Sequence, residues 1–149
     1  MKSLFNKNDY SEISARIRNL QASSHPQWGS MNVSQMLAHC QQPVRIALGV
    51  LTARRSVAGV LLGRIAKKRM MTEETFRKNL PTDKSFKVVN TLKFEDERKN
   101  LLNLLEQFSA QGSSGIKTSI HPFFGKLTPE EWDRLTWIHL DHHLRQFEV

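Results

Sequence analysis

The last segment of the chain reads Trp137-Ile138-His139-Leu140-Asp141-His142-His143-Leu144-Arg145-Gln146-Phe147 and holds three of its six histidines. On a helix, residues four apart differ by about 40° in direction and about 6 Å in height. His139 and His143 would then share one face, a turn apart, and two imidazoles can converge on one ion. Two ligands from one helix rarely suffice, so a third must come from a facing element. His39 is the leading candidate, because Met36, Leu37 and Cys40 beside it suggest an interior face. Three neutral imidazoles at about 2.0–2.1 Å, with an open position, form a catalytic zinc-type site. Zinc and nickel are the leading divalent ions, although imidazole also suits iron and manganese.

Other readings compete with this one. A lone histidine on an apolar face is usually a satisfied core residue, and an HxxxH pair can be solvated. His142, three residues after His139, can take the place of His143 as the alternate ligand. Asp141 points away from the pair, and Cys40 points about 100° away from His39. An ion held by three neutral imidazoles can lower the pKa of water, or bind a thiol as thiolate. No HExxH motif occurs and no Glu neighbours the pair, which tilts the reading towards a thiol or other small-molecule substrate, or towards binding without turnover. Gln35, one turn before His39, can orient a bound ligand or cap its helix. Trp28 and the loop His121 to Gly125 can wall a pocket. Trp132 and Thr136 lie below the pair on its own face and would floor it.

These residues need helices to position them. Ile13, Ile17 and Leu20 recur on one stripe, predicting a helix from about Asp9 to Leu20. A second helix starts near Asn32, with Gln35 completing a capping box; Pro43 kinks or ends it, and Gly49 is the other possible stop. Val50 to Arg69 is expected to be helical, with interruptions at Gly59 and Gly63. Residues 79–92 read as an extended connection. A third main helix spans about Phe94 to Phe108, and residues 111–115 form a flexible loop. The last helix has the clearest start: Thr128 as N-cap, Pro129 at N1, and Glu131 closing a capping box. The pattern is all-α, a four-helix bundle with a helical and extended insertion between the second and third main helices.

The 149 residues fit one domain over 1–149, large enough to bury a core without metal or disulfide. A metal would therefore serve function rather than folding. One cysteine, Cys40, excludes an intrachain disulfide. No apolar run resembles a signal peptide or approaches the roughly 20 residues of a membrane span, so a cytoplasmic location is the default. The formal net charge is +8, and residues 45–93 hold twelve Lys/Arg against three Asp/Glu. Arg54, Arg55, Arg64, Lys67, Lys68 and Arg69 alternate there with Leu51, Val57, Val60, Leu61, Leu62 and Ile65. An alternative function follows: a non-catalytic binding protein using this region on an anionic membrane or nucleic acid. The plain reading is a packed helix with a solvated cationic side. Homodimerisation also suits a small bundle.

At the histidines the chain resembles the DinB/YfiT-like superfamily. Members are four-helix bundles with one histidine in the second helix and an HxxxH pair in the last, followed by a signature ending in Gln. His143-Leu144-Arg145-Gln146 stands in that place. The resemblance assigns His39, His139 and His143 to the ligand positions. One branch, a domain of unknown function, is more similar still: Trp28-Gly29-x-Met31, Gln35-Met36-Leu37-Ala38-His39-Cys40, Asn79-Leu80-Pro81-Thr82 and His121-Pro122-Phe123-Phe124-Gly125-Lys126-Leu127 all carry the likeness. Characterised superfamily members include transferases and isomerases dependent on thiols such as mycothiol or bacillithiol. The resemblance implies the fold and metal site more strongly than any reaction.

Overall fold

A computed structural model describes residues 2–72, 75–79 and 92–149. Four helices form the bundle: α1 (Lys7–Asn19), α2 (Val33–Ala47), α4 (Phe94–Gln111) and α5 (Pro129–Gln146). Between α2 and α4 comes α3 (Val57–Thr72). A 3₁₀ turn, Gly112–Gly115, and a two-stranded hairpin, β1 (Ile120–His121) and β2 (Gly125–Lys126), join α4 to α5. Each of α1 and α2 packs on both α4 and α5, so α1 and α2 stand across the bundle from each other. The all-α bundle with an insertion is thus the observed architecture.

The core follows from the apolar stripes. Ile13 and Ile17 of α1, Met36, Leu37, Cys40 and Val44 of α2, Leu101, Leu105 and Phe108 of α4, and Trp132, Leu135 and Leu144 of α5 are all buried. Cys40 packs there with its sulfur 3.7 Å from that of Met36. Polar ties fix the helices around this core. Gln41 on α2 donates to the Glu97 carboxylate of α4 at 2.7 Å. Asp141 of α5, itself buried, is ion-paired with Arg16 of α1 at 2.8 Å and with Arg145 at 2.9 Å.

Both capping boxes form. Asn32 and Gln35 exchange bonds at the start of α2, as do Thr128 and Glu131 at the start of α5. Pro43 lies inside α2 and does not end it. It removes the helical N–H that would bond to the carbonyl of His39, one turn earlier. The helix stops instead at Leu48, because Gly49 turns the backbone to φ +72°. The N–H groups of Val50 and Leu51 both fold back onto the Arg45 carbonyl.

The insertion departs from expectation at its start. Residues 50–56 are not helical, and α3 begins only where the Ser56 hydroxyl accepts from the Gly59 N–H at 3.1 Å. Gly59 and Gly63 do not interrupt the helix. They let it lie on the hairpin: a Cβ on Gly59 would come within 2.6 Å of the Pro122 carbonyl, and one on Gly63 would meet the Phe123 carbonyl still more closely. Lys67 then reaches the carbonyl of Lys126 and the carboxylate of Glu131, both at 2.7 Å. Glu131 therefore caps α5 and anchors α3. Of the extended connection expected over 79–92, residues 80–91 lie outside the described residues.

Candidate metal centre

His39 of α2 meets His139 and His143 of α5 between the helices. The three ring centroids form a near-equilateral triangle, 4.8 Å from His39 to His139, 4.9 Å from His39 to His143 and 4.7 Å from His139 to His143. One ligand nitrogen from each ring can be chosen so that all lie within 4.8 Å of one another. The Nε2 atoms of His39 and His139 are 2.9 Å apart. Donors at about 2.0–2.1 Å in a tetrahedral site stand about 3.4 Å apart, so the widest spacing would close by somewhat more than an ångström on binding an ion. No carboxylate or thiol joins this group among the described residues.

Burial favours the neutral form of His139 and His143, which is the form that binds metal. Relative exposure is 6% at His39 and 8% at His143. Burial, then the neighbouring charge of His39, pushes the His143 pKa down to about 3. Burial, then His143 and His39, holds His139 well below the usual histidine range. The Nδ1 of His139 is buried without a hydrogen-bond partner. Three desolvated imidazoles facing one point, one with an orphaned nitrogen, fit a divalent cation better than they fit a proton.

The orientation of His143 is set from behind. Its Nδ1 lies 2.8 Å from Oε1 of Gln146, and Nε2 of Gln146 donates to the backbone carbonyl of Trp28. A carbonyl can only accept, so the amide must present its nitrogen to Trp28 and its oxygen to His143. His143 then carries its proton on Nδ1, leaving the Nε2 lone pair free for an ion. Gly29 makes room for this relay: its φ is +77°, and a Cβ there would lie 2.7 Å from Gln146 Nε2. The Gln27 N–H also bonds to the Gln146 carbonyl at 2.8 Å, pinning the loop to the end of α5.

The remaining predicted residues do not join the triangle. His142, the alternate ligand, lies outside it. Its ring is 5.6 Å from that of Trp28 and 6.0 Å from that of Phe76, and it bonds to the Phe76 backbone. Trp28 stands beside His142, with the Lys78 ammonium 4.3 Å from the centre of its ring. Gln35 Oε1 accepts from the Asn32 N–H at 3.0 Å, so that atom serves the cap. Trp132 and Thr136 are core residues of α5, two turns and one turn below His139. The indole of Trp132 donates to the Thr118 carbonyl, and the Thr136 hydroxyl donates to its own helix. The His121–Gly125 loop builds the seat of α3; His121 Nδ1 accepts from the N–H groups of Phe123 and Phe124. Asp141, which points away from the pair, is buried and ion-paired with Arg16 and Arg145.

Two contributors escaped sequence reasoning. Gln146 follows His143 by three residues, a helical spacing that puts a side-chain amide beside a ring, and that signal was present. Phe76, whose ring is 6.4 Å from that of His139, had no local signal.

Fold and site together define an all-α bundle with a buried histidine triangle shared by two of its helices. The family described as "Protein of unknown function (DUF1569)" matches residues 2–149, and the chain belongs to that family. No curated protein and no solved structure gives a significant match.

Proposed function

We propose that this chain is a divalent-metal-binding protein of DinB type, with His39, His139 and His143 as ligands, whose ion activates a thiol or another small molecule. The observation that carries the reading is the triangle itself: three imidazoles from facing helices, with centroids under 5 Å apart. Zinc or nickel suits an all-imidazole donor set. Such an ion supplies Lewis acidity, enough to bring a coordinated water or thiol to its nucleophilic form near neutral pH.

The protein's own residues define what can approach. Gln146 holds His143 by one nitrogen and directs the other inwards. Phe76, Trp28 and His142 give the approach an aromatic wall, and Lys78 adds a positive charge favouring an anionic group. Among the described residues no carboxylate joins the cluster to take a proton from water, which favours direct activation of a thiol over hydrolysis. Cobalt(II) reports on this choice, since a sulfur donor adds a charge-transfer band to its spectrum. Adding dithiothreitol to the cobalt-loaded protein should produce that band. A cobalt spectrum that does not respond to the thiol would remove the thiol reading and leave the metal reading standing.

A further inference from the structure

The exposed side of α3 is the apolar one. Its buried side consists of Gly59, Gly63 and Met70, whereas Val57, Leu61 and Ile65 are 79%, 72% and 63% exposed. These three are four residues apart and form one stripe pointing away from the bundle. Val60 and Leu62 flank it, also exposed. Monomeric soluble proteins rarely display contiguous apolar surface of this kind without a use for it.

Cations share this face: at helical spacing Arg64 and Lys68 lie alongside Val57 and Leu61, with Arg69 beside Ile65. Arg54, Arg64, Lys68 and Arg69 are exposed, and none of them forms an ion pair among the described residues. Beside the helix lies a concavity of about 680 Å³ whose lining includes Arg55, Arg64, Lys67, Lys68 and Lys126 and, among the described residues, no carboxylate. The surrounding chain shares this bias: residues 13–72 contain nine Lys/Arg and no Asp/Glu.

We propose that α3 is a docking helix for an anionic lipid surface. Val57, Leu61 and Ile65 enter the boundary between headgroups and acyl chains, while Arg54, Arg64, Lys68 and the cationic concavity meet lipid phosphates. A helix lying in the interface buries its apolar face by about 5–10 Å and draws added affinity from anionic headgroups. No helix among the described residues is long and apolar enough to cross a membrane, and this contact needs none. A second copy of the chain fits the stripe less well, because two α3 helices would bring like charges together with no carboxylate on either to pair them. A nucleic acid would use the cations but leave the apolar stripe in water.

Vesicle co-sedimentation of the full-length chain tests this. Vesicles of phosphatidylcholine mixed with phosphatidylglycerol should carry the protein down, and vesicles of phosphatidylcholine alone should not. The double variant Leu61→Ser/Ile65→Ser should weaken binding at least about tenfold while helix content stays unchanged. Arg64→Glu/Lys68→Glu should weaken it by at least about as much, and added salt should weaken the wild type. The proposal is overturned if the mixed vesicles leave the protein in solution, or if the serine variant binds them as well as wild type. It is equally overturned if the chain binds duplex DNA in preference to the vesicles. Concentration-dependent dimerisation that the serine variant abolishes would assign the stripe to a second copy and also overturn it.

Discussion

Single atoms decide how well the histidine triangle can hold an ion. Gln146 fixes the proton of His143 on Nδ1 only because its own nitrogen is committed to the Trp28 carbonyl. Hydrogen-bond partners of this kind contribute about 10–100-fold to metal affinity. Gln146→Leu, which keeps the bulk and removes both bonds, should weaken metal binding by that factor, read by competition with a chromogenic chelator. Gly29→Ala should act in the same direction, since its Cβ would displace the amide; unchanged affinity in both variants would remove Gln146 from the site. Protonation gives a second handle. The folded pKa values of His139 and His143 lie below the unfolded value of about 6.5, so the unfolded chain binds more protons. Stability of the metal-free protein should therefore be full above pH 6.5 and fall as pH drops towards the folded value of about 3 for His143. The slope approaches about 1.4 kcal/mol per pH unit for each histidine. Denaturant titrations between pH 7 and about pH 5, before carboxylates titrate, measure it. His139→Leu should flatten the slope, and an equal slope in that variant would assign it to other groups.

Elements deliver these residues through caps, stripes and close approaches. Gly63 faces the Phe123 carbonyl with no room for a methyl group, so α3 sits on the hairpin backbone. Gly63→Ala should lower the thermal midpoint, because overpacking costs about 1–3 kcal/mol and the gain in helix propensity returns only about 1 kcal/mol. Raised proteolysis within residues 57–72 should accompany it; a higher midpoint would mean the helix does not seat there. The elements with strong local signals were legible in the sequence. Thr128-Pro129-x-Glu131 and Asn32-x-x-Gln35 mark the starts of α5 and α2 because capping is a contact among neighbours. The HxxxH spacing likewise placed His139 and His143 on one face. Less was legible where tertiary contact decides. Gly59 and Gly63 resemble helix breakers until the hairpin beneath them is seen. The Arg16–Asp141 ion pair joins residues 125 positions apart, beyond any local pattern. Helical neighbours made His39 the leading third candidate but left a core role equally open, and family resemblance was needed to assign it to the α5 pair.

At the scale of the whole molecule, the buried core runs through α1, α2, α4 and α5 without help from the histidines. Metal removal should therefore lower the melting temperature without unfolding the chain. A ligand at a hundredfold excess over its Kd adds about 2.7 kcal/mol, or roughly 5–10 °C for a chain of this size. Circular dichroism with and without chelator checks this, and loss of the helical signal on chelation would make the ion structural. The charge is distributed as unevenly as the apolar surface: the exposed face of α3 carries apolar residues and cations together. Metal centre and docking helix thus occupy different elements, and variants of one should leave the other intact. The central claim remains the histidine triangle, and metal content of tag-free protein tests it most directly. Wild type should carry about one divalent ion per chain, and His39→Ala and His143→Ala should each carry almost none while remaining folded. Substoichiometric metal in wild type, unchanged by either substitution, would contradict it.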